Sequence, residues 1–539
     1  MDDSFAAYLG RPGSLDEGMM SARSYLVLFT IGLVVTVGVA CLQSLPGYLD
    51  SDYYYAGGLQ LVRGNGFNEP YIWNYLDDPE GIPHPSHSYW FPLASILAAA
   101  SMLLTGQQTY AAARVVFIAV SASIPVLTAA LAFDLTRRKD LAFTSGLLAV
   151  FSIYHVPFMP VTDNFAPFML LGGIVFLLMG RDHWAAYLGI GISAGLMNLA
   201  RNDGLLWLGL SGYMVLLYVW KRDGTILHRL QMVLKYASLV LLGYFLVMGP
   251  WFARNMLVFG APIAPGGSRI LWLTNYNDTF AYPAEQVNAQ AWMNAGWKAA
   301  LQVRLRALRL NLLNTFAAQG GILLFPFIII GLWQARGSLR TRVAILGWSL
   351  LLFVMTVVFP FAGARGGFFH AGTAFQPLWW AVAPLGLERT VRFIRDRNML
   401  NDLAYGVFRG ALVGICMLLT GLIIWLRILQ PGWQPEEELY MRVEQFLVEK
   451  GADYDEIAIV RNPPGYYLIS GRSTIVMPPG GPEATLALAA RYGAAYFVLE
   501  PSGVLEQFRE LYEDYRDYPG FEYLGEVEGA RIFALHPAR

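Results

Sequence analysis

Residues 24–44, SYLVLFTIGLVVTVGVACLQS, carry no charged side chain and are apolar on every side of a helix. Such a helix suits a buried or lipid-facing setting and is insoluble as a surface helix. About 20 predominantly apolar residues cross the hydrocarbon core of a bilayer. Similar runs recur along most of the 539 residues. Of all residues, 55% are hydrophobic and 14% charged, against about 25% charged in a typical soluble domain. The expected class is a mainly α, polytopic bundle of transmembrane helices, and a large soluble core is excluded.

Net charge is −1, so nothing attracts the chain to nucleic acid. The two cysteines, Cys41 and Cys416, lie in apolar runs and read as packing residues, with no disulfide framework or zinc site between them. No small-residue cleavage site closes the first apolar run, which reads as an uncleaved span rather than a signal peptide.

Short basic loops stay in the cytoplasm. They are Arg137-Arg138-Lys139, Arg181-Asp182-His183, Lys221-Arg222, Arg336–Arg342 and Arg389–Arg397. Spans near 24–44, 111–134, 141–157, 164–180, 184–199, 203–220, 232–253, 321–335, 343–361, 373–387 and 406–427, about eleven in all, put each basic loop inside when the N-terminus is cytoplasmic. Residues 91–105 are apolar but short, and a crossing there would move Arg137–Lys139 outside. Length and parity make them an interfacial juxtamembrane helix.

The membrane domain then covers 1–428, with long outer loops at 45–110 and 254–320. Long structured loops on one face suggest a site there. From 429 to 539 the apolar runs shorten and acids increase. Strands at Ile457–Val460, Tyr496–Leu499 and Arg531–Leu535 alternate with helices at Glu483–Tyr492 and Val504–Tyr515, predicting a small extracytoplasmic α/β domain. Its Pro-Pro-Gly stretches at 463–465 and 478–480 read as loop punctuation.

A charge at the edge of hydrocarbon needs a reason. Asp50 and Asp52 follow the first span, in Tyr48-Leu49-Asp50-Ser51-Asp52-Tyr53-Tyr54-Tyr55. Carboxylates there suit a general base or, as a pair, a divalent cation such as Mg or Mn; two solvated loop acids are the bland reading. His84 and His87 flank a proline ahead of the interfacial helix and could bind metal, donate hydrogen bonds to phosphate or simply stiffen a belt loop. Asp163 opens a span as Thr162-Asp163-Asn164, a helix cap first of all, yet on the same face as Asp50. Arg63, Arg201, Arg254 and Arg365 break the positive-inside trend. Guanidinium forks suit phosphate, and snorkelling to headgroups is the alternative. Together the acids and arginines could deprotonate an acceptor and stabilise a departing phosphate.

In this order the motifs resemble the C-type glycosyltransferase superfamily, most of all bacterial and archaeal relatives of the protein O-mannosyltransferases and the lipid A aminoarabinose transferase. The likeness runs from about residue 24 to 390. It rests on Asp50-Ser51-Asp52-Tyr53-Tyr54, His84 to Pro92, Thr162-Asp163, Ala200-Arg201-Asn202-Asp203-Gly204 and Pro250-Trp251-Phe252-Ala253-Arg254-Asn255. A Gly-rich segment, Gly363–His370, resembles the family's motif before a late span. The resemblance implies a cell-envelope enzyme of the plasma membrane that takes a sugar from a polyprenyl-phosphate donor to an acceptor hydroxyl, with inversion. The acceptor is a lipid, a protein or a glycan. Asp50, with Asp52 and Asp163 beside it, maps to the catalytic acids. The first loop departs from the common Asp-Glu pair, so which aspartate is the base stays open. A transporter or flippase of a lipid-linked sugar, or a non-catalytic glycolipid-binding member, are the competing classes. A transporter should place ionisable groups near the bilayer midplane, and the expected span centres hold almost none.

Overall fold

The computed structural model describes residues 20–397, 404–430, 432–433, 436–502, 504–516 and 518–537. Most of the stretch ahead of the first span, expected in the cytoplasm, lies outside the described residues. Helix α1 (Ala22–Cys41) begins at Ser21, whose side chain accepts from the Ser24 N–H. Then come α2 (Leu49–Val62), α3 (Leu93–Thr105), α4 (Val115–Thr136), α5 (Lys139–Val150), α6 (Phe165–Leu178), α7 (Trp184–Ala200), α8 (Leu205–Trp220) and α9 (Ile226–Phe259). Helix α10 (Ala289–Asn314) fills much of the second long loop. Helices α11 (Phe325–Gln334), α12 (Leu339–Phe353), α13 (Gln376–Arg395) and α14 (Ala404–Ile424) complete the bundle.

Among the described residues, six helical stretches are long and apolar enough to cross a membrane: Ala22–Cys41, Tyr110–Thr136, Asn202–Trp220, Ile226–Phe259, Leu339–Val358 and Ala404–Leu429. The apolar helices α3, α6, α7 and α11 are shorter. Several expected spans change length. The run at 141–157 ends as an α-helix at Val150 and turns into the 3-10 segment Ile153–Phe158, where Pro157 has no N–H to continue a ladder. Residues 91–105 do form a separate short helix, α3, of 13 residues packed along α2.

Charges collect at the two ends of the bundle. At one end Arg138 bridges Asp140 at 2.7 Å and Glu388 at 2.5 Å, Arg409 meets Asp140 at 2.8 Å, and Arg340 pairs with Asp134. Arg138 and Arg340 belong to the basic loops, and Arg409 joins them from α14. The opposite end carries the long loops and the C-terminal domain.

That domain is built on a mixed sheet. In the first loop, β1 (Asn68–Glu69) pairs with β3 (His84–Pro85). Strand β2 (Tyr71–Ile72), also in that loop, leaves it to join β4 (Ile457–Val460), β5 (Thr474–Val476), β6 (Ala494–Leu499), β7 (Phe521–Val527) and β8 (Ala530–Leu535). The order is β2-β5-β4-β6-β8-β7. Pairs β2–β5, β5–β4 and β4–β6 are parallel, and β8 runs antiparallel to both neighbours. The α/β expectation holds for this sheet, with two corrections. Pro463 and Pro464 start helix α15 (Pro463–Ser470) instead of a loop, the Asn462 side chain accepting from the Gly465 N–H. Residues 504–515 form only a 3-10 turn and the short helix Arg509–Glu513.

Apolar side chains of Ile72 and Tyr75 from the loop share one core with Ile475, Phe497 and Phe533 of the domain. A buried ion pair holds its other side: Arg472, fully buried, donates to Glu444 at 2.8 and 3.0 Å, and Tyr466 donates its hydroxyl to the same carboxylate at 2.9 Å.

Candidate active site

The site begins with the spacing of α2. Ser51 and Tyr54 are three residues apart and share one helical face, and Tyr48, extended just ahead of the helix, lies beside them. That face meets the loop ahead of α6 residue by residue. Tyr48 donates its hydroxyl to Asp163 Oδ2 at 2.6 Å, the Ser51 and Thr162 hydroxyls lie 2.9 Å apart, and Asn164 donates to the Tyr54 hydroxyl at 2.8 Å. Two loops distant in sequence are thereby fixed against each other, and Asp50 comes to the side of Asp163.

A third segment closes the cluster. The short helix Phe368–Gly372 carries His370, whose ring stacks on Phe165 with centroids 3.9 Å apart. Its Nε2 lies 3.1 Å from Asp163 Oδ2 and 3.8 Å from Asp50 Oδ2. Its Nδ1 lies 3.0 Å from the Gly366 carbonyl, which can only accept. Nδ1 therefore carries a proton. Nε2, facing a carboxylate, must carry a second proton or offer its lone pair to a cation. Donor atoms of Asp50, Asp163 and His370 all lie within 4.8 Å of one another.

The electrostatics separate the two aspartates. Burial opposes ionisation of Asp163, but the His370 charge, the Tyr48 hydroxyl and the Asn164 N–H outweigh it and hold the carboxyl below its ordinary range. Burial and the Asp163 charge push Asp50 upward, only partly offset by His370 and Arg201. Asp163 is thus a fixed anion and Asp50 a carboxyl ready to exchange its proton. The Asp50 side chain is 30% exposed and Asp163 is closed off. Burial alone would make His370 neutral; the Asp163 charge and hydrogen bond reverse this and raise it.

Of the phosphate-binding candidates, two stand beside this cluster. Arg201 forms a fork with Asp203 at 2.8 and 3.1 Å and reaches the Gly367 carbonyl at 3.4 Å. Burial works against its charge, but Asp203 more than restores it. Arg365 is exposed and lies 4.1 Å from the ring centroid of Tyr276, a residue that feels the Asp50 charge as well.

The other candidates do not come to the site. Asp52, two positions from Asp50, faces about 200° away around a helix. It is fully buried and accepts from Asn462 of the C-terminal domain at 2.9 Å, so the Asp50–Asp52 cation pair does not form. Arg254 is engaged as a brace, donating to the carbonyls of Phe67 at 3.2 Å and Ser86 at 3.0 Å and stacking on Trp251. Arg63, at the far end of α2, reaches Gln108 and the Tyr467 hydroxyl, about 20 Å along the helix from Asp50. His84 is buried against Glu69 at 3.0 Å. His87 sits between the hydroxyls of Ser86 at 2.7 Å and Ser95 at 3.0 Å. Burial and the nearby Arg254 lower its pKa to about 3, leaving it neutral. These residues build the platform under the site, with Trp73 and Trp90 stacked at 3.9 Å, a pair worth about 0.5–1.5 kcal/mol. His370 and Tyr48 are the partners that sequence reading did not single out. A lone histidine at the end of a Gly-rich break was the only local signal.

No protein-family model matches this chain, and no curated protein matches it in sequence. Solved structures do match. ArnT from Cupriavidus metallidurans, bound to undecaprenyl phosphate, aligns with a TM-score of 0.54 at 14% identity over 95% of this chain and 98% of that one. The Archaeoglobus fulgidus oligosaccharyltransferase tethered to an acceptor peptide aligns with a TM-score of 0.54 at 13% identity over 96% of this chain and 74% of that one. At such identities the likeness is one of fold alone.

Proposed function

We propose that this chain is a membrane glycosyltransferase, moving a sugar from a polyprenyl-phosphate donor to an acceptor hydroxyl on the extracytoplasmic face. The observation that carries this reading is the convergence of Asp50, Asp163 and His370, beside Arg201 and Arg365, at one end of a lipid-facing bundle. The fold neighbour ArnT, solved with undecaprenyl phosphate, supports the donor class.

Helix lengths support it too. Helices α6, α7 and α8 have 14, 17 and 16 residues, so they reach about 21, 26 and 24 Å. The hydrocarbon core is about 30 Å thick. In this reading Asp163 and Arg201, at the loop-side ends of α6 and α7, sit at the bilayer boundary, where a lipid-borne phosphate lies. About eleven crossings, an inside N-terminus and an outside C-terminal domain belong to this same reading.

In the reaction, Asp50 takes the acceptor proton as the oxygen attacks the anomeric carbon. The sugar–phosphate bond breaks on the opposite side, inverting the configuration. General base catalysis contributes about 10²–10⁴-fold. Arg365, which has no carboxylate partner among the described residues, and Arg201 stabilise the departing phosphate, a contribution of about 3–4 kcal/mol for a well-placed donor. Asp163 stays ionised and orients His370. The Asp50–Asp163–His370 set also fits a divalent cation, with two carboxylates and an imidazole whose outer N–H is fixed by Gly366. Such a cation would supply positive charge beside the phosphate.

The test is release of radiolabelled sugar from a panel of polyprenyl-phosphate donors by purified protein. Wild type should consume one donor, and Asp50→Asn should lose at least about 100-fold in turnover while donor binding persists. Turnover should rise with pH through the raised Asp50 value, because the base acts ionised. Consumption of no donor, or equal turnover by Asp50→Asn, overturns the assignment.

A further inference from the structure

Helix α10 has an unpartnered face of unusual composition. Its 26 residues include Lys298, Arg304, Arg306 and Arg309, with no aspartate or glutamate. The backbone breaks at Gly296 (φ 80°, ψ 160°), and one continuous helix follows. Trp297, Leu301, Leu305 and Leu312 lie on one side of it and are exposed, Trp297 by 72% and Leu305 by 55%. Lys298 and Arg309 are also exposed and edge this apolar stripe, Lys298 three and seven positions from Leu301 and Leu305, Arg309 four and three from Leu305 and Leu312, and the exposed Arg306 lies beside them on the side away from the stripe. Arg304, half-buried at the other edge of the stripe, donates to the Ala300 carbonyl at 2.9 Å. Lys298, Arg306 and Arg309 make no hydrogen bond or ion pair with any described residue.

The opposite side anchors the helix to the bundle. Asn311 is buried and donates at 3.1 Å to both the Met355 carbonyl and the Thr356 hydroxyl. Both acceptors belong to Leu339–Val358, one of the stretches able to cross a membrane. Asn311 thus holds one side of α10 against the end of a spanning stretch and leaves the exposed side turned away from it.

We propose that this face docks the anionic phospholipid of the bilayer leaflet at the active-site end. The apolar stripe enters the acyl boundary while Lys298, Arg306 and Arg309 meet lipid phosphates. An acidic protein partner would satisfy the cations but leave the apolar stripe without apolar cover, whereas a lipid interface supplies both. The inference rests on the membrane reading alone and not on the reaction.

The test uses the full chain in phosphatidylcholine vesicles without any polyprenyl lipid, doped with spin-labelled phosphatidylglycerol or spin-labelled phosphatidylcholine. Electron paramagnetic resonance reads the immobilised lipid fraction. Wild type should immobilise phosphatidylglycerol at least about twofold more than phosphatidylcholine at low salt, with the preference falling steeply toward 1 M salt, where screening acts within about 3 Å. The Lys298→Gln/Arg306→Gln/Arg309→Gln variant should lose it, while Arg427→Gln, a cation elsewhere on the bundle, should keep it. Equal immobilisation of both lipids by wild type overturns the proposal. So does an undiminished preference in the triple variant. Arg309→Gln alone should lower the preference, which keeps the test decisive if the triple variant fails to fold.

Discussion

At the residue scale, two aspartates two positions apart have opposite fates. Asp50 faces the cluster with His370, whereas Asp52 is closed beneath the C-terminal domain. Burial pushes Asp52 up to about 7, with the Asn462 hydrogen bond only partly offsetting it, and its Oδ1 has no partner among the described residues. The usual aspartate value in an unfolded chain is about 3.9. A carboxyl raised in the fold binds its proton more tightly there, so the native state loses stability as pH climbs from about 4 to 7. Above that window the cost is fully present, a few kcal/mol at most. Asp52→Asn should therefore be stabilising at pH 8 and close to neutral at pH 4, read by thermal unfolding at both values. A destabilised Asp52→Asn at pH 8 would mean that the ionised form has a favourable partner. Asp50 was legible from sequence because an acid at a membrane boundary is costly; its separation from Asp52 was not, because D-x-D says nothing about helical phase until the helix start is known.

At the element scale, the bundle depends on places where helices touch backbone to backbone. A Cβ at Gly331 of α11 would fall 2.1 Å from the Val382 carbonyl oxygen of α13, and one at Gly386 of α13 would fall 1.9 Å from the Phe327 carbonyl oxygen of α11. The two glycines face each other across one crossing, as small residues do where membrane helices pack closely. Gly386→Val should open this contact and cost about 1–3 kcal/mol or more, as overpacking does. The measurement is the midpoint of unfolding in detergent, and Gly406→Val, where nothing stands within 4 Å of the new Cβ, is the control. Equal midpoints for the two variants would show that the crossing can relax. The ends of α5 and α9 were harder to place from sequence, the run at 141–157 stopping as a helix at Val150 and that at 232–253 extending over Ile226–Phe259, since an apolar run does not reveal where its helix stops.

At the scale of the whole molecule, the first long loop and the C-terminal domain form one unit. Strand β2 is an edge strand of the domain's sheet, Tyr75 donates its hydroxyl to the Val476 carbonyl at 2.5 Å, and Gln60 donates to the Tyr467 hydroxyl at 3.0 Å. A chain ending at Leu429 should keep its membrane helices but lose this cover. Chymotrypsin should then cleave after Tyr75, which is buried in the full chain, and sugar transfer should fall with it. Retained protection and turnover would reduce the domain to an accessory.

The amino-acid sequence by itself determined the bundle, because apolar runs without charge have no other stable place than lipid. It also pointed to the end that carries the candidate site, because acids and arginines gather beside the outer ends of the expected spans, and to the α/β nature of the tail through its alternating runs. The tertiary structure decided the rest. Joining Asp50, Asp163 and His370 requires three chain segments held by Tyr48, Thr162 and Phe165. Such meetings across more than a hundred residues leave no periodicity in the chain. The same holds for β2, whose two residues are too short a run to signal a strand until the sheet that accepts them exists. Arg254, His84 and His87 turned into braces for that reason as well: their chemistry suits phosphate, and only the surrounding carbonyls and hydroxyls show that it is already engaged.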